Sequence, residues 1–352
     1  MLEILISKKL TFGVPIKKYS VLFLFAASAY AQQNLFPIKV EEKYGFIDST
    51  GKEIISPIFE KNPIFVEGFV KQKIKSLFDT DVLFYDKKGE PALTTTYEDA
   101  GDFSEDRSRV LAGAWFFLRK WGFIDRTGKE IVRPQYTDAG DFHNGRAWVI
   151  NRPFLFPQFF PDRYGYIDTN GKLVIPFQYN TVGNFSEGCA AVSITGLKGY
   201  IDTTGKVVID LQYEGAAEFS DGLARVKKNG KFGFIDAHNA AVIPVQYEDA
   251  RSFHDGRALV KKEGRWMFVD QKGNEVISMT YQDVLFFSDR CVAVKENDRW
   301  GFIDTAGVKI IEPKFTDALP FCNGLAYVYT EMEEGYINLQ GNFVWKKNLE
   351  KK

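Results

Sequence analysis

The tetrad Gly-Phe-Ile-Asp, or a close relative, recurs down the chain, and its register constrains the fold more than any other feature. It ends at Asp48, Asp86, Asp125, Asp168, Asp202, Asp236, Asp270 and Asp304, with a ninth copy ending at Asn338. The intervals are 38, 39 and 43, then 34 five times. Eleven residues after each Asp stands an aromatic, from Phe59 and Tyr97 to Phe315. Six further on stands a Phe: Phe65, Phe103, Phe142, Phe185, Phe219, Phe253, Phe287 and Phe321. The Asp-to-Phe distance is thus 17 in all eight full copies. A fixed period of this kind belongs to repeat architectures, whose units bury apolar faces against their neighbours. The 15% aromatic content is periodic, and therefore mostly core.

One unit reads through residues 219–252. Leu223-Ala224-Arg225-Val226-Lys227 alternates as a strand does. Asn229-Gly230 signals a tight turn, and Phe232-Gly233-Phe234-Ile235-Asp236 returns as the second strand of a hairpin. Positions four and two before the Asp share one face (Trp300 and Phe302), while the residue before the Asp faces the other way. Both faces are therefore covered. The Gly three before the Asp suits close approach of another backbone. Asp-x-x-Gly then makes a turn, as in Asp125-Arg126-Thr127-Gly128. A short apolar strand such as Ile131-Val132 follows, often closed by Pro (Pro57, Pro134, Pro176, Pro244, Pro313). Tyr136, Ala139 and Phe142 are spaced by three, which predicts one turn of helix or 3₁₀. Each unit is read as three short strands plus that turn.

This pattern resembles the bacterial WG repeat family, whose signature is Trp-Gly followed by aromatic, aliphatic and Asp. The resemblance covers about residues 44–345. Trp-Gly itself occurs at Trp121-Gly122 and Trp300-Gly301; elsewhere the Trp position holds Tyr44, Tyr164, Lys198, Phe232 or Glu334, and Trp266 is followed by Met267. In the second copy Val82 and Leu83 replace the pair. What the resemblance implies is a β-rich repeat protein that mediates interactions, with no general catalytic residues. The predicted fold is all-β: a tandem array of about nine three-stranded units over residues 32–345, open and β-solenoid-like. A β-propeller is the alternative. Units of 34 residues are lean for a propeller blade. Ile38 stands ten residues before Asp48, as Val226 does before Asp236, so the first hairpin is complete and neither end reads as half a blade. Residues 346–352 form a charged tail.

Residues 1–31 read as a signal peptide. Lys17 and Lys18 precede an apolar run from Tyr19 to Ala27, and Ala29-Tyr30-Ala31 offers the small-residue cleavage pattern before Gln32. An uncleaved anchor and a start placed too early are the other readings. Cleavage implies export across the inner membrane, to the periplasm, the cell surface or the medium, with no transmembrane span left. Without this segment 41 basic and 45 acidic residues remain, a net charge of −4. These charges are mixed along the chain, which argues against nucleic acid as a partner.

No set of residues composes an active site. His143 and His254 each follow the register Phe where other copies carry Ser, and His238 lies in a turn. Cys189 and Cys291 share one repeat position three units apart, too far for a bridge, and Cys322 replaces a Ser. The in-register Asp residues are read as turn formers rather than calcium ligands, because the Gly-rich nonapeptide of calcium-binding β-rolls is missing. No cofactor and no metal site is expected. The informative feature is where the repeat breaks its rule. The Phe-to-Asp interval is 17 in the later copies but 21, 22 and 26 in the first three. All three insertions fall in the same hairpin, which places them side by side on one edge of an array. One holds Trp115, Phe116 and Phe117; another holds Phe154, Phe156, Phe159 and Phe160 between prolines. These seven are the candidate partner-binding residues, on the argument that contiguous apolar surface marks interaction sites; the competing reading folds them back as local core. The functional expectation is an exported, non-enzymatic repeat scaffold that binds a protein or an envelope polysaccharide. The alternatives are an enzyme acting on an envelope glycan, with two carboxylates among many, or a spacer.

Overall fold

The computed structural model describes residues 35–75, 80–113, 119–152, 162–278 and 280–349. Every described element is a β-strand, and they form nine small sheets, eight of them four-stranded. The third sheet is typical: Asp99–Ala100, Arg107–Ala112, Lys120–Asp125 and Glu130–Tyr136, paired in that order as an antiparallel meander. The hairpin of the Ala-x-Val and Gly-Phe-Ile-Asp strands is thus its centre, as the alternation predicts. The outermost strand runs through Pro134, which is tolerated because this strand is a sheet edge.

The predicted helical turn is instead a further strand. Asp138 and Ala139 pair with Ile150 and Val149, and the Gly140 and His143 amides go on to bond Trp148 and Arg146 carbonyls. Asp138 Oδ1 accepts the Ala139 N–H at 2.9 Å, a local bond that competes with a helical one. A two-residue strand carries no alternation to read. It also explains how 34 residues suffice for four strands, since seven of the eight such strands are two residues long.

The core lies between consecutive sheets. Phe123, Val132 and Tyr136 of the third sheet cluster with Ala139, Phe142, Ala147, Val149 and Ile167 of the fourth. Ile124, next to Phe123, packs the opposite way, against Val82, Phe84 and Phe103. At five joints the ring two before an Asp stands edge-on to the Phe 17 after it, as in Phe123–Phe142 at 5.1 Å, Tyr166–Phe185 at 4.9 Å and Phe234–Phe253 at 4.8 Å. Such pairs add about 0.5–1.5 kcal/mol beyond area burial. Both ends of the 17-residue interval are therefore locked into one core, so it does not vary. The central hairpin tip lies outside that core and accepts insertions.

Contact density divides the chain into two compact units. One takes Lys39–Gly45 and Ile55–Met279; the other takes the residues up to Ile38, Phe46–Ile54 and those from Thr280 onward. The second unit joins the start of the chain to its end. In it Phe36, Ile38 and Ile47 of the first sheet share a cluster with Leu325 and Tyr336 of the last, and Tyr336 Oη donates to the Pro37 carbonyl at 2.9 Å. Gly51 of the first sheet lies against Val344 of the last, as Gly128 lies against Leu93 and Gly171 against Val132 at ordinary joints. The last-to-first joint repeats the others. The fold is a β-propeller of nine sheets, and the open solenoid expectation is corrected to its alternative. That expectation failed because it required closure through a shared sheet. Here two sheets, each with its own hairpin, pack face to face instead.

Two devices stitch neighbouring edges. Each Asp of the tetrad accepts the amides two and four residues on, at 2.9 and 3.0 Å for Asp202, and holds the turn that follows, Asp-x-x-Gly in every copy but that of Asp236, where Asn239 replaces the Gly. These bonds, led by the Thr204 hydroxyl, hold the Asp202 carboxyl below the usual carboxylate range. The sequence reading missed the second device. The residue two after each register Phe adopts a positive φ, and six of these side chains (Glu67, Glu105, Asn144, Glu187, Asp221 and Asp289) cap the next sheet's turn. Glu67 takes the Glu105 amide at 2.7 Å, Glu105 the Gly145 amide at 2.7 Å, and Asn144 the Gly188 amide at 2.8 Å.

Candidate functional site

The insertions lie where the interval arithmetic puts them, between the second and third strands of the second, third and fourth sheets. Trp115, Phe116, Phe117, Phe154, Phe156, Phe159 and Phe160 lie outside the described residues. Their necks are described. In a meander the second connection shares an edge with the chain's passage to the next sheet, so the second and third necks meet the residue after the Tyr of the preceding sheet. In regular sheets that residue caps the hairpin: Glu214 takes the Gly230 amide at 3.1 Å and Glu248 the Gly264 amide at 3.2 Å.

Beneath the insertions the same position does other work. Glu98 pairs with Arg119, at the neck of the second insertion. Thr137 Oγ1 accepts the Arg152 amide at 2.9 Å and Lys120 Nζ at 3.1 Å. Arg152 and Asp162 face each other across the neck of the third insertion as a two-point pair, Nε to Oδ1 at 2.6 Å. Fork-to-fork pairs of this kind fix geometry as well as add energy. Burial, with the Arg152 charge, pulls the Lys120 ammonium below its ordinary range, and the Asp162 bond raises Arg152. A recess of about 70 Å³ beside the first insertion is lined by Phe59, Lys61, Pro63, Lys71 and Lys73, among others.

The strands under these necks carry half-buried aromatic and charged side chains. Trp148 meets Tyr164 edge-on at 5.7 Å, and the Arg109 guanidinium lies 4.9 Å over Trp121. Ion pairs tie the second sheet to the third and the third to the fourth: Lys71 to Asp102 at 3.1 Å and Arg109 to Asp141 at 3.0 Å. Lys71 and Arg109 also donate to the Ala100 and Ala139 carbonyls, at 3.1 and 2.7 Å. Those carbonyls belong to short edge strands and would otherwise lack a partner. Burial pushes the Asp141 carboxyl up, against the pull of Arg109. Flat aromatic faces beside fixed donors and acceptors can bind a polar ligand by stacking and hydrogen bonds.

The pattern described as WG containing repeat matches residues 44–71, 84–113, 121–151, 164–197, 199–232, 232–266, 266–300 and 300–331. The chain belongs to the WG repeat family. No curated protein matches it. Among solved structures it is similar to AztD of Citrobacter koseri, at 13% identity and TM-score 0.40, over 78% of this chain and 92% of that one. It is also similar to Hsv2 of Kluyvelomyces marxianus, at 10% and 0.39, over 78% and 94%. A third is the uncharacterized protein lmo1340 of Listeria monocytogenes EGD-e, at 12% and 0.37, over 73% and 92%.

Within the WG repeat register, Arg109 and Lys71 occupy one position, six after the Phe, and Asp102 and Asp141 another, one before it. The sequence reading did not single these out. Aligning the copies position by position would have, because of the other copies only one repeats a cation there, Arg225, while the rest place Trp148, Ala191, Leu259, Ala293 and Tyr327 opposite Lys71. Cys189, Cys291 and Cys322 are all buried thiols that form no disulfide. His143 and His254 sit in the turn after the register Phe, each bridged to an Arg three residues on. Among the described residues no group of three His, Cys, Asp or Glu side chains is gathered to hold a metal ion.

Proposed function

We propose that this WG repeat propeller is an exported, non-enzymatic scaffold that binds a protein or an envelope polysaccharide through the insertion-bearing edge of its second to fourth sheets. One observation carries the reading. Three consecutive sheets lengthen the same hairpin, and the two longer insertions rise from necks pinned by Arg119–Glu98 and Arg152–Asp162. Their aromatics give the edge the composition of an interaction hot spot. Export rests on the features of residues 1–31.

The test is affinity capture from the producing cell's envelope fraction with residues 32–352. A folded variant carrying Ser at Phe154, Phe156 and Phe159 runs beside it. A ligand held by the first and lost by the second, with unchanged far-UV spectra, is the expected outcome. Equal capture by both removes the insertion edge from the account. An enzyme acting on an envelope glycan is the second reading, favoured by Asp141, whose carboxyl is raised by burial and by the Asp102 charge. It predicts soluble product from purified cell-wall material, which the scaffold does not release.

A further inference from the structure

The joint between the sixth and seventh sheets repeats the Lys71 and Arg109 arrangement with its counter-ion missing. Arg225 stands six after Phe219, as Lys71 follows Phe65 and Arg109 follows Phe103. Its Nη1 donates to the Ala250 carbonyl at 2.9 Å, the bond Arg109 makes to Ala139. Its guanidinium lies 5.1 Å over Phe232, as that of Arg109 lies over Trp121. The difference is the residue before the next Phe. Asp102 and Asp141 stand there to pair with Lys71 and Arg109, but the seventh sheet has Ser252. The residue before that is Gly101 or Gly140 in the earlier sheets and Arg251 here.

Two cations thus meet where the second-to-third and third-to-fourth joints place a cation and a carboxylate. Arg225 Nε is buried with no hydrogen-bond partner. The nearby Asp249 carboxylate already accepts the Ala250 amide at 2.8 Å through Oδ1. Burial first, and then the Arg251 charge, pull the Arg225 guanidinium below its ordinary range, and Asp249 only partly offsets this. A half-buried cation without a paired anion is costly. Arg251 itself is exposed, so the place is open to solvent.

We propose that Arg225, Arg251 and Ser252 form a binding site for one oxyanionic group, the carboxylate of an acidic sugar or a sulfate. Guanidinium forks match such planar or tetrahedral anions, and the unpartnered Nε supplies a donor already desolvated. The site lies on different sheets from the insertion edge and stands independently of the function proposed above.

The test uses the full chain with sodium sulfate, glucuronate and glucose as probes, at matched ionic strength in chloride. Thermal shift and titration calorimetry are the readouts. Sulfate or glucuronate raises the melting temperature saturably, glucose does not, and the tighter anion identifies the group. Arg251→Gln weakens that binding by roughly tenfold, the scale of one hydrogen bond to a charged group. Ser252→Asp rebuilds the pair seen at Asp102 and Asp141. It is expected to melt higher than the parent without anion and to lose the anion response. No saturable response in the parent overturns the proposal, and so does an equal response in the parent and Ser252→Asp.

Discussion

Phe253→Ala lowers the stability of the chain by about 3–5 kcal/mol, the range for emptying a large aromatic from a core. Phe253 is fully buried and set edge-on to Phe234 of the preceding sheet at 4.8 Å. It packs in one cluster with Ile243 and Tyr247 on one side of the joint and Ala258 and Val260 on the other. The substitution therefore removes the element that both sheets share, at a joint whose spacing is fixed by the 17-residue interval. Denaturant titration followed by tryptophan fluorescence measures the loss. A change below about 0.5 kcal/mol, the size of an ordinary surface effect, contradicts the joint as the seat of stability.

Gly301→Ala is the second large effect, of about 1–3 kcal/mol by overpacking. A Cβ there would stand 2.5 Å from the Ile311 carbonyl oxygen and 2.6 Å from the Pro313 nitrogen, both backbone atoms of the paired strand. The register shifts at this point by two residues of the outer strand, with Trp300 opposite Phe315 and Phe302 opposite Ile311. The bulged outer strand folds over the bare Gly. Two sheets show what happens without it. Leu83 and Met267 replace the Gly, pair directly with Thr94 and Ser278, and their outer strands are five and four residues long instead of seven. The contrasting variant is Gly222→Ala, with nothing within 4 Å of its Cβ, where only the positive φ resists substitution. An equal loss at both positions would show that conformational freedom, rather than close approach, explains Gly301.

What was legible in the sequence was whatever a single unit specifies by itself. The central hairpin, the Asp-x-x-Gly turn, the two covered faces and the bare Gly all follow from alternation, turn chemistry and spacing, and all stand in the structure. The two-residue strand at Asp138 and Ala139 was not legible. Its pairing comes from the following hairpin, and a spacing of three imitates a helical turn. Closure was not legible either. It depends on whether Phe36 and Ile38 meet Leu325 and Tyr336 across nearly the whole sequence, and a periodic pattern is silent on that. The insertions were found by counting, but their necks were not. Arg152 and Asp162 lie ten residues apart and become partners only when the hairpin closes. The missing carboxylate at Ser252 was readable in principle, from the two copies that supply Asp102 and Asp141.

Closure of the propeller is the central claim, and the distance between its first and last sheets tests it most directly. Spin labels go on Cys introduced at Lys52 and Asn342, two exposed turn positions. The native cysteines are buried, and burial lifts the Cys322 thiol to about 12, so they label poorly. Pulsed electron paramagnetic resonance then reads the separation. Neighbouring sheets stack about 10 Å apart, so the account predicts a single short distance of about 10–25 Å once label length is included. A distance near 80 Å, about eight such spacings, would be that of an open array and would contradict it.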